Sequence, residues 1–236
     1  MLVVHKKEFK IGVILAVGFM IILKVMFFPI FGDNRNAFEA TDQFFNSIAK
    51  GSTYFIPQVM KQNEEVKGTN IDVTFALQNE QVLRRASRLF LDAGAMVSTE
   101  GSQMHVVGDL GQIMELALKH SDAIFHNKGD ELAQHYGYHQ REILFAWHTA
   151  FKAMSKALTK AEKFKEAKWV DEVSKRAVEV AFNFFGIQPE SVGSAAGMLT
   201  FLLVFYVFYT MWWGYAILYI FDGIGLQMKA GKKKEV

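Results

Sequence analysis

An α+β membrane protein is the fold class this sequence predicts: two transmembrane helices flanking a helix-rich extracytoplasmic domain, which holds a small βαββα unit and a helical hairpin. Three observations predict it. Met198 to Phe221 is a run of 24 residues without a charge, and a helix needs about 20 apolar residues to cross a bilayer. Ile11 to Phe31 is a second apolar run, broken only by Lys24. Between the runs, segments that alternate apolar and polar residues give way to segments with three-four spacing, the signatures of half-buried strands and amphipathic helices. The expected organisation is a cytoplasmic N-terminus at 1–10, a transmembrane helix at 11–31, and a juxtamembrane helix and connector at 32–66. A βαββα unit follows at 67–128, a helical hairpin at 129–190, a second transmembrane helix at 195–221 and a basic cytoplasmic tail at 222–236.

Charge gives the orientation. Residues 1–31 and 195–236 together carry eight Lys or Arg against three Asp or Glu, while residues 32–194 carry 18 against 21. The excess lies outside the two runs: Lys6, Lys7 and Lys10 before the first, Lys229 and Lys232 to Lys234 after the second. By the positive-inside rule both termini face the cytoplasm and the middle domain lies across a cell inner (cytoplasmic) membrane. No basic face with interleaved aromatics is present, so nucleic acid is not an expected partner. The chain has no cysteine, which excludes disulfides, thiolate metal sites and a cysteine nucleophile.

The first run lacks the short apolar core and small-residue cleavage site of a secretory signal. It reads as an uncleaved signal anchor, with Pro29 near its far end, where a lost backbone hydrogen bond costs least. Gly12 and Ala16, with Gly18 nearby, are small enough to let a partner helix approach. On the second run Phe201, Phe205, Phe208, Trp212, Tyr215 and Tyr219 recur at steps of four and three, which aligns six rings in one stripe. Leu202, Tyr206, Tyr209 and Trp213 form a stripe beside it. Small residues on one helix and rings on the other predict that the two pack together. One neighbour does not cover so much ring surface, so other chains are expected to meet the remainder. Lys24 is expected to snorkel towards the interface or meet an aromatic ring, with Tyr206 and Tyr209 nearest in depth; Asp222 is better placed for Lys10.

Phe38, Phe44, Phe45 and Ile48 suggest an amphipathic helix ended by Gly51-Ser52-Thr53, and Pro57 favours extended backbone before it. Ile71 to Leu77 alternates as a strand. Asn79 caps a helix bearing Val82, Ala86, Leu89 and Ala93, which Gly94 closes. Ala95 to Thr99 and Met104 to Gly108 read as a hairpin around Glu100-Gly101-Ser102-Gln103. Asp109 with Gln112 starts the next helix. Half of a ferredoxin-like split unit has this order, as do other small folds. The glycines of Gly108-Asp109-Leu110-Gly111 suit a tight turn better than a phosphate site, since no Walker pattern follows. Leu144, Trp147, Phe151, Met154 and Leu158 then keep helical spacing, and Val170, Val173, Ala177, Val180 and Phe184 repeat it in another phase. Two antiparallel helices around a lysine-rich turn are expected, with one long helix as the alternative, since no Gly or Pro separates them.

Five of the seven histidines fall between His120 and His148. His135 and His139, four apart, are the candidate metal pair, although Gly137 between them opposes a helix and no HExxH pattern is present. No nucleophile elbow or dinucleotide fingerprint occurs, so no enzyme activity and no cofactor are expected. The expected function is a non-catalytic accessory or scaffold subunit of a membrane complex. Its partners would be the lipid bilayer and other membrane-protein subunits or further copies of itself. The alternatives are an extracytoplasmic sensor or ligand-binding protein, and a metal- or quinone-associated redox subunit.

Overall fold

The computed structural model describes residues 3–226, so the lysines expected to form the basic tail lie outside the described residues. The protein is mixed and helix-rich, with one three-stranded sheet. It divides into a terminal unit, Met1–Ile48 with Glu190–Val236, and a central unit, Ala49–Pro189.

In the terminal unit, α1 (Lys6–Met26) and α10 (Val192–Gly223) are long and apolar enough to cross a membrane. Only 6% of the most apolar 18-residue window in each is buried, the reverse of a soluble core helix. α1 stops before Phe31: Phe27 is the C-cap, and the chain then turns through Gly32, Asp33 and Asn34, all at positive φ. Pro29 lacks the N–H a further turn would need. α2 (Ala37–Ser52) follows, its last residues, from Ala49 on, belonging to the central unit. Asn36 Oδ1 accepts from Glu39 N at 2.9 Å while Glu39 Oε2 accepts from Asn36 N at 3.0 Å, a reciprocal start for that helix. Ser191 caps α10, its hydroxyl accepting from Ser194 N at 3.1 Å.

In the central unit, α3 (Ile56–Asn63) replaces the expected extended stretch. Pro57 sits in its first turn, where the missing N–H has no intrahelical partner to lose. β1 (Asn70–Ala76), α4 (Glu80–Asp92), β2 (Met96–Glu100), β3 (Gln103–Asp109) and α5 (Leu110–Phe125) then follow in the expected order. The sheet order is β1-β3-β2 and both pairings are antiparallel. β1 and β2 are therefore parallel strands with β3 inserted between them, a split β-α-β arrangement. Ile71, Val73, Phe75, Met104 and Val106 face the core, and Asp72, Thr74 and His105 face outward. Asn79 Oδ1 accepts from Gln81 N and Val82 N at 2.9 and 3.1 Å, capping α4.

The segment after α5 holds more elements than the periodicity suggests. α6 (Asp130–Tyr136) ends at Gly137, which is left-handed with φ 78°. α7 (Gln140–Lys160) and α8 (Phe164–Val173) are separate helices packed on each other. The break needs no glycine because Glu162 itself takes φ 59°. Lys163 N reaches Leu158 O at 2.9 Å and Glu162 N reaches Thr159 O at 3.1 Å, a Schellman ending. α8 runs on through a π-helical turn at Ser174–Val178 into α9 (Glu179–Asn183). One hydrophobic core joins the inner sheet face, α4, α5 and α7, with Phe90, Trp147 and Phe151 at its centre.

Candidate membrane-helix interface and polar clusters

The glycines of α1 set how closely α10 approaches. A Cβ on Gly12 would stand 2.6 Å from Ile220 N and 3.0 Å from Ala216 O. One on Gly223 would meet Phe9 Cα at 2.6 Å, and one on Gly18 would meet the Trp212 ring at 3.1 Å. Contacts therefore pair early positions of α1 with late positions of α10, and the helices run antiparallel. Side chains from α10 also donate to the α1 backbone: Trp212 Nε1 to Leu15 O at 3.0 Å and Tyr209 Oη to Phe19 O at 3.2 Å. The Phe19 ring stacks on Tyr209 with centroids 4.1 Å apart. In lipid, where apolar burial gives no drive towards association, such pairings would tie the two helices.

Helix contact does not follow the single aromatic stripe read from spacing. Ala216 is fully buried, and Phe205, Trp212 and Tyr219 are half-buried. Phe201, Phe208 and Tyr215 are 60%, 68% and 51% exposed, and Tyr206 from the second stripe is 65% exposed. Half the stripe thus belongs to the hairpin and half turns away from it. Gly12 is buried and Ala16 half-buried. Lys24 does not meet Tyr209, whose ring is taken by Phe19. It is exposed, beside Met20, Ile21 and Phe27 on the outward side of α1. Where α1, α2 and α10 converge, Ile22, Met26, Phe44, Leu202 and Phe205 line an apolar cleft of about 440 Å³.

Gly12→Leu should separate the hairpin, since backbone rather than a movable side chain blocks the added carbons. Overpacking of this kind costs about 1–3 kcal/mol. Gly214 has nothing within 4 Å of its Cβ position, so Gly214→Leu should leave the hairpin intact. Thermal unfolding of both variants in detergent, followed by circular dichroism, checks the contrast.

In the central unit each histidine of the 120–148 group has its own local partner. His120 is buried and its Nδ1 accepts from Trp147 Nε1 at 3.1 Å. Burial, the largest influence, pushes its pKa down to about 4, with the Asp92 carboxylate opposing and His135 assisting. His135 Nε2 lies 3.3 Å from Asp92 Oδ2. His126 Nδ1 lies 3.4 Å from Asp122 Oδ1. His139 is not on a helix face with His135. It is the N-cap of α7, where Arg141 N donates to its Nδ1 at 3.2 Å and Glu142 Oε2 accepts from its own N–H at 3.2 Å. The left-handed turn at Gly137 places the two imidazoles on opposite sides of a helix break. Among the described residues no group of three potential metal ligands forms.

One cluster had no sequence signal. At the π-helical turn Ser174 Oγ lies 3.4 Å from His148 Nδ1 and 3.4 Å from Glu179 Oε1, and His148 Nδ1 lies 3.5 Å from that same carboxylate oxygen. A nucleophilic triad needs the hydroxyl on one imidazole nitrogen and the acid on the other. Here both approach Nδ1, so the carboxylate competes with the hydroxyl instead of orienting the ring. The glycine-rich turn before α5 is also spent internally: Asp109 accepts from Gly111 N, Gln112 N and Gly68 N at 2.7, 3.2 and 2.7 Å. A Cβ on Gly111 would stand 2.6 Å from Lys67 Cα, so close backbone approach accounts for that glycine.

Lys50, in the last turn of α2, is 1% exposed. Its Nζ donates to Phe184 O at 3.0 Å and Ile187 O at 2.5 Å and lies over the Phe125 ring, 4.8 Å from its centroid. Burial lowers its pKa. Carbonyls left over at the end of α9 meet the charge in place of a carboxylate. Against known protein families, characterised proteins and solved structures, the chain finds no match.

Proposed function

We propose that this chain is a non-catalytic accessory or scaffold subunit of a membrane-protein complex, anchored by the α1–α10 hairpin in a cytoplasmic membrane with both termini on the cytoplasmic side. The central unit would then be an extracytoplasmic docking domain. The observation that carries this reading is the ring surface left on α10 after α1 has packed. Phe201, Tyr206, Phe208 and Tyr215 are each more than half exposed. Lipid alone needs no such ring density in the middle of a span, where leucine serves as well, and aromatic rings are the residues interfaces favour. The internally satisfied histidines, the mismatched Ser174 cluster and the self-capped turn at Asp109 favour a binding role over catalysis.

The test is a photo-reactive residue placed at Phe208, with Ala216 as the buried control. The Phe208 probe should give discrete protein adducts in native membranes that survive purification in mild detergent, and the Ala216 probe should not. Lipid adducts alone, with the chain migrating as a single species, would sink the proposal. Orientation is read separately with Ser102→Cys, which an impermeant thiol reagent should label from outside intact cells.

A further inference from the structure

The geometry points to a binding site for a small molecule bearing at least two phosphate groups, in the cleft between α7 and the free edge of β1. The cleft has a volume of about 670 Å³, within the range of small-molecule sites. Lys152, Lys156 and Lys160 line it, together with Thr149, Gln78 and Gln103, and no carboxylate does. The three lysines stand at i, i+4 and i+8 on α7, so their stems rise along one face at intervals of about 6 Å.

What separates this row from an ordinary solvated helix face is that it borders a cleft with no carboxylate in its lining. Like charges at i, i+4 oppose the helix that carries them, and here the repulsion has no internal answer. Among the described residues none of the three lysines makes an ion pair, as is true of most lysines here; Lys67 and Lys119, which share Glu115, are the exceptions. Every arginine also has a partner: Arg35, Arg84, Arg85 and Arg176 hold carboxylates, Arg88 holds the His135 carbonyl, and Arg141 lies over the Phe182 ring. The cleft also has shape. β1 is an edge strand, and Thr74 to Leu77 form the wall opposite the lysines. A ligand lying there meets charge on one side and backbone and amide side chains on the other, with its outer side open to solvent. Lysines without an arginine fork suit the tetrahedral faces of phosphate better than the planar bidentate grip a carboxylate takes. Three ammonium groups on stems rooted about 6 Å apart can engage more than one phosphate of a ligand at once.

The test is isothermal titration calorimetry of the full chain in detergent, with inorganic tripolyphosphate as the probe. Tripolyphosphate should bind about tenfold or more tighter than inorganic monophosphate at physiological salt. Lys156→Gln should weaken it about tenfold. Lys165→Gln removes an exposed lysine outside the cleft and should leave the affinity unchanged. Absence of binding at physiological salt overturns the assignment. So does an equal loss in Lys165→Gln, which would mean general charge attraction, or equal affinity for a short polyglutamate peptide, which would mean a protein-docking surface.

Discussion

Trp147→Ala is expected to remove most of the stability of the central unit. The indole is fully buried, with its ring centroid 5.3 Å from that of Phe90 and 5.1 Å from that of Phe151. Truncating a buried tryptophan costs about 3–5 kcal/mol through lost transfer energy and the cavity left behind. A second cost follows, because Trp147 Nε1 is the donor to His120 Nδ1. With it gone, a buried acceptor loses its partner, at about 1–3 kcal/mol. The sum rivals the whole stability of a typical domain. Trp147→Phe keeps a six-membered ring in the site and loses the bond with part of the indole volume, so it should retain a cooperative transition with a lowered midpoint. Circular dichroism melts of both variants in detergent distinguish the two costs. A Trp147→Ala melt close to that of the parent would mean that the core does not close around this ring.

His120 should make the central unit acid-labile. Its pKa is held at about 4 when folded, against about 6.5 for an unperturbed histidine. As pH falls below about 6.5 the unfolded chain takes up this proton and the folded chain does not, until pH reaches about 4. The contribution is therefore complete above pH 6.5 and is lost on acidification. It amounts to roughly 3 kcal/mol across that window. The groups facing the imidazole include Asp92, which opposes the shift, and His135, which adds to it. His120→Gln keeps an acceptor for Trp147 Nε1 and does not titrate. The parent should lose thermal stability between pH 7 and 4.5 much more steeply than this variant. Equal slopes would mean that His120 is solvated or protonated at neutral pH.

The features read most directly from the sequence are those that depend on local chemistry. Asn79 and Asp109 cap helices because their short oxygens reach free amides two and three residues on, and that needs no tertiary partner. The strand at Ile71 to Leu77 alternates because one face of the sheet is covered and the other is not. The two apolar helices are legible from length alone. Features that depend on tertiary contact were not. Pro57 reads as favouring extended backbone before it and instead sits in the first turn of α3, a choice set by what α3 packs against. Glu162 takes a left-handed conformation usually left to glycine, because packing of α7 on α8 outweighs the strain, about 1–2 kcal/mol. Ser174, His148 and Glu179 meet only because a π-helical turn adds a residue to the winding of that segment, and no side-chain pattern records it. The ring stripe on α10 divides because α1 covers a narrower strip than three-four spacing implies.

The Gly12–Ile220 contact joins the first helix of the chain to the last. A ribosome adding about 5–20 residues per second needs roughly 10–40 s after Gly12 before Ile220 exists. For that interval the glycine notch of α1 has no mate. A chain released before α10 would leave that notch unfilled.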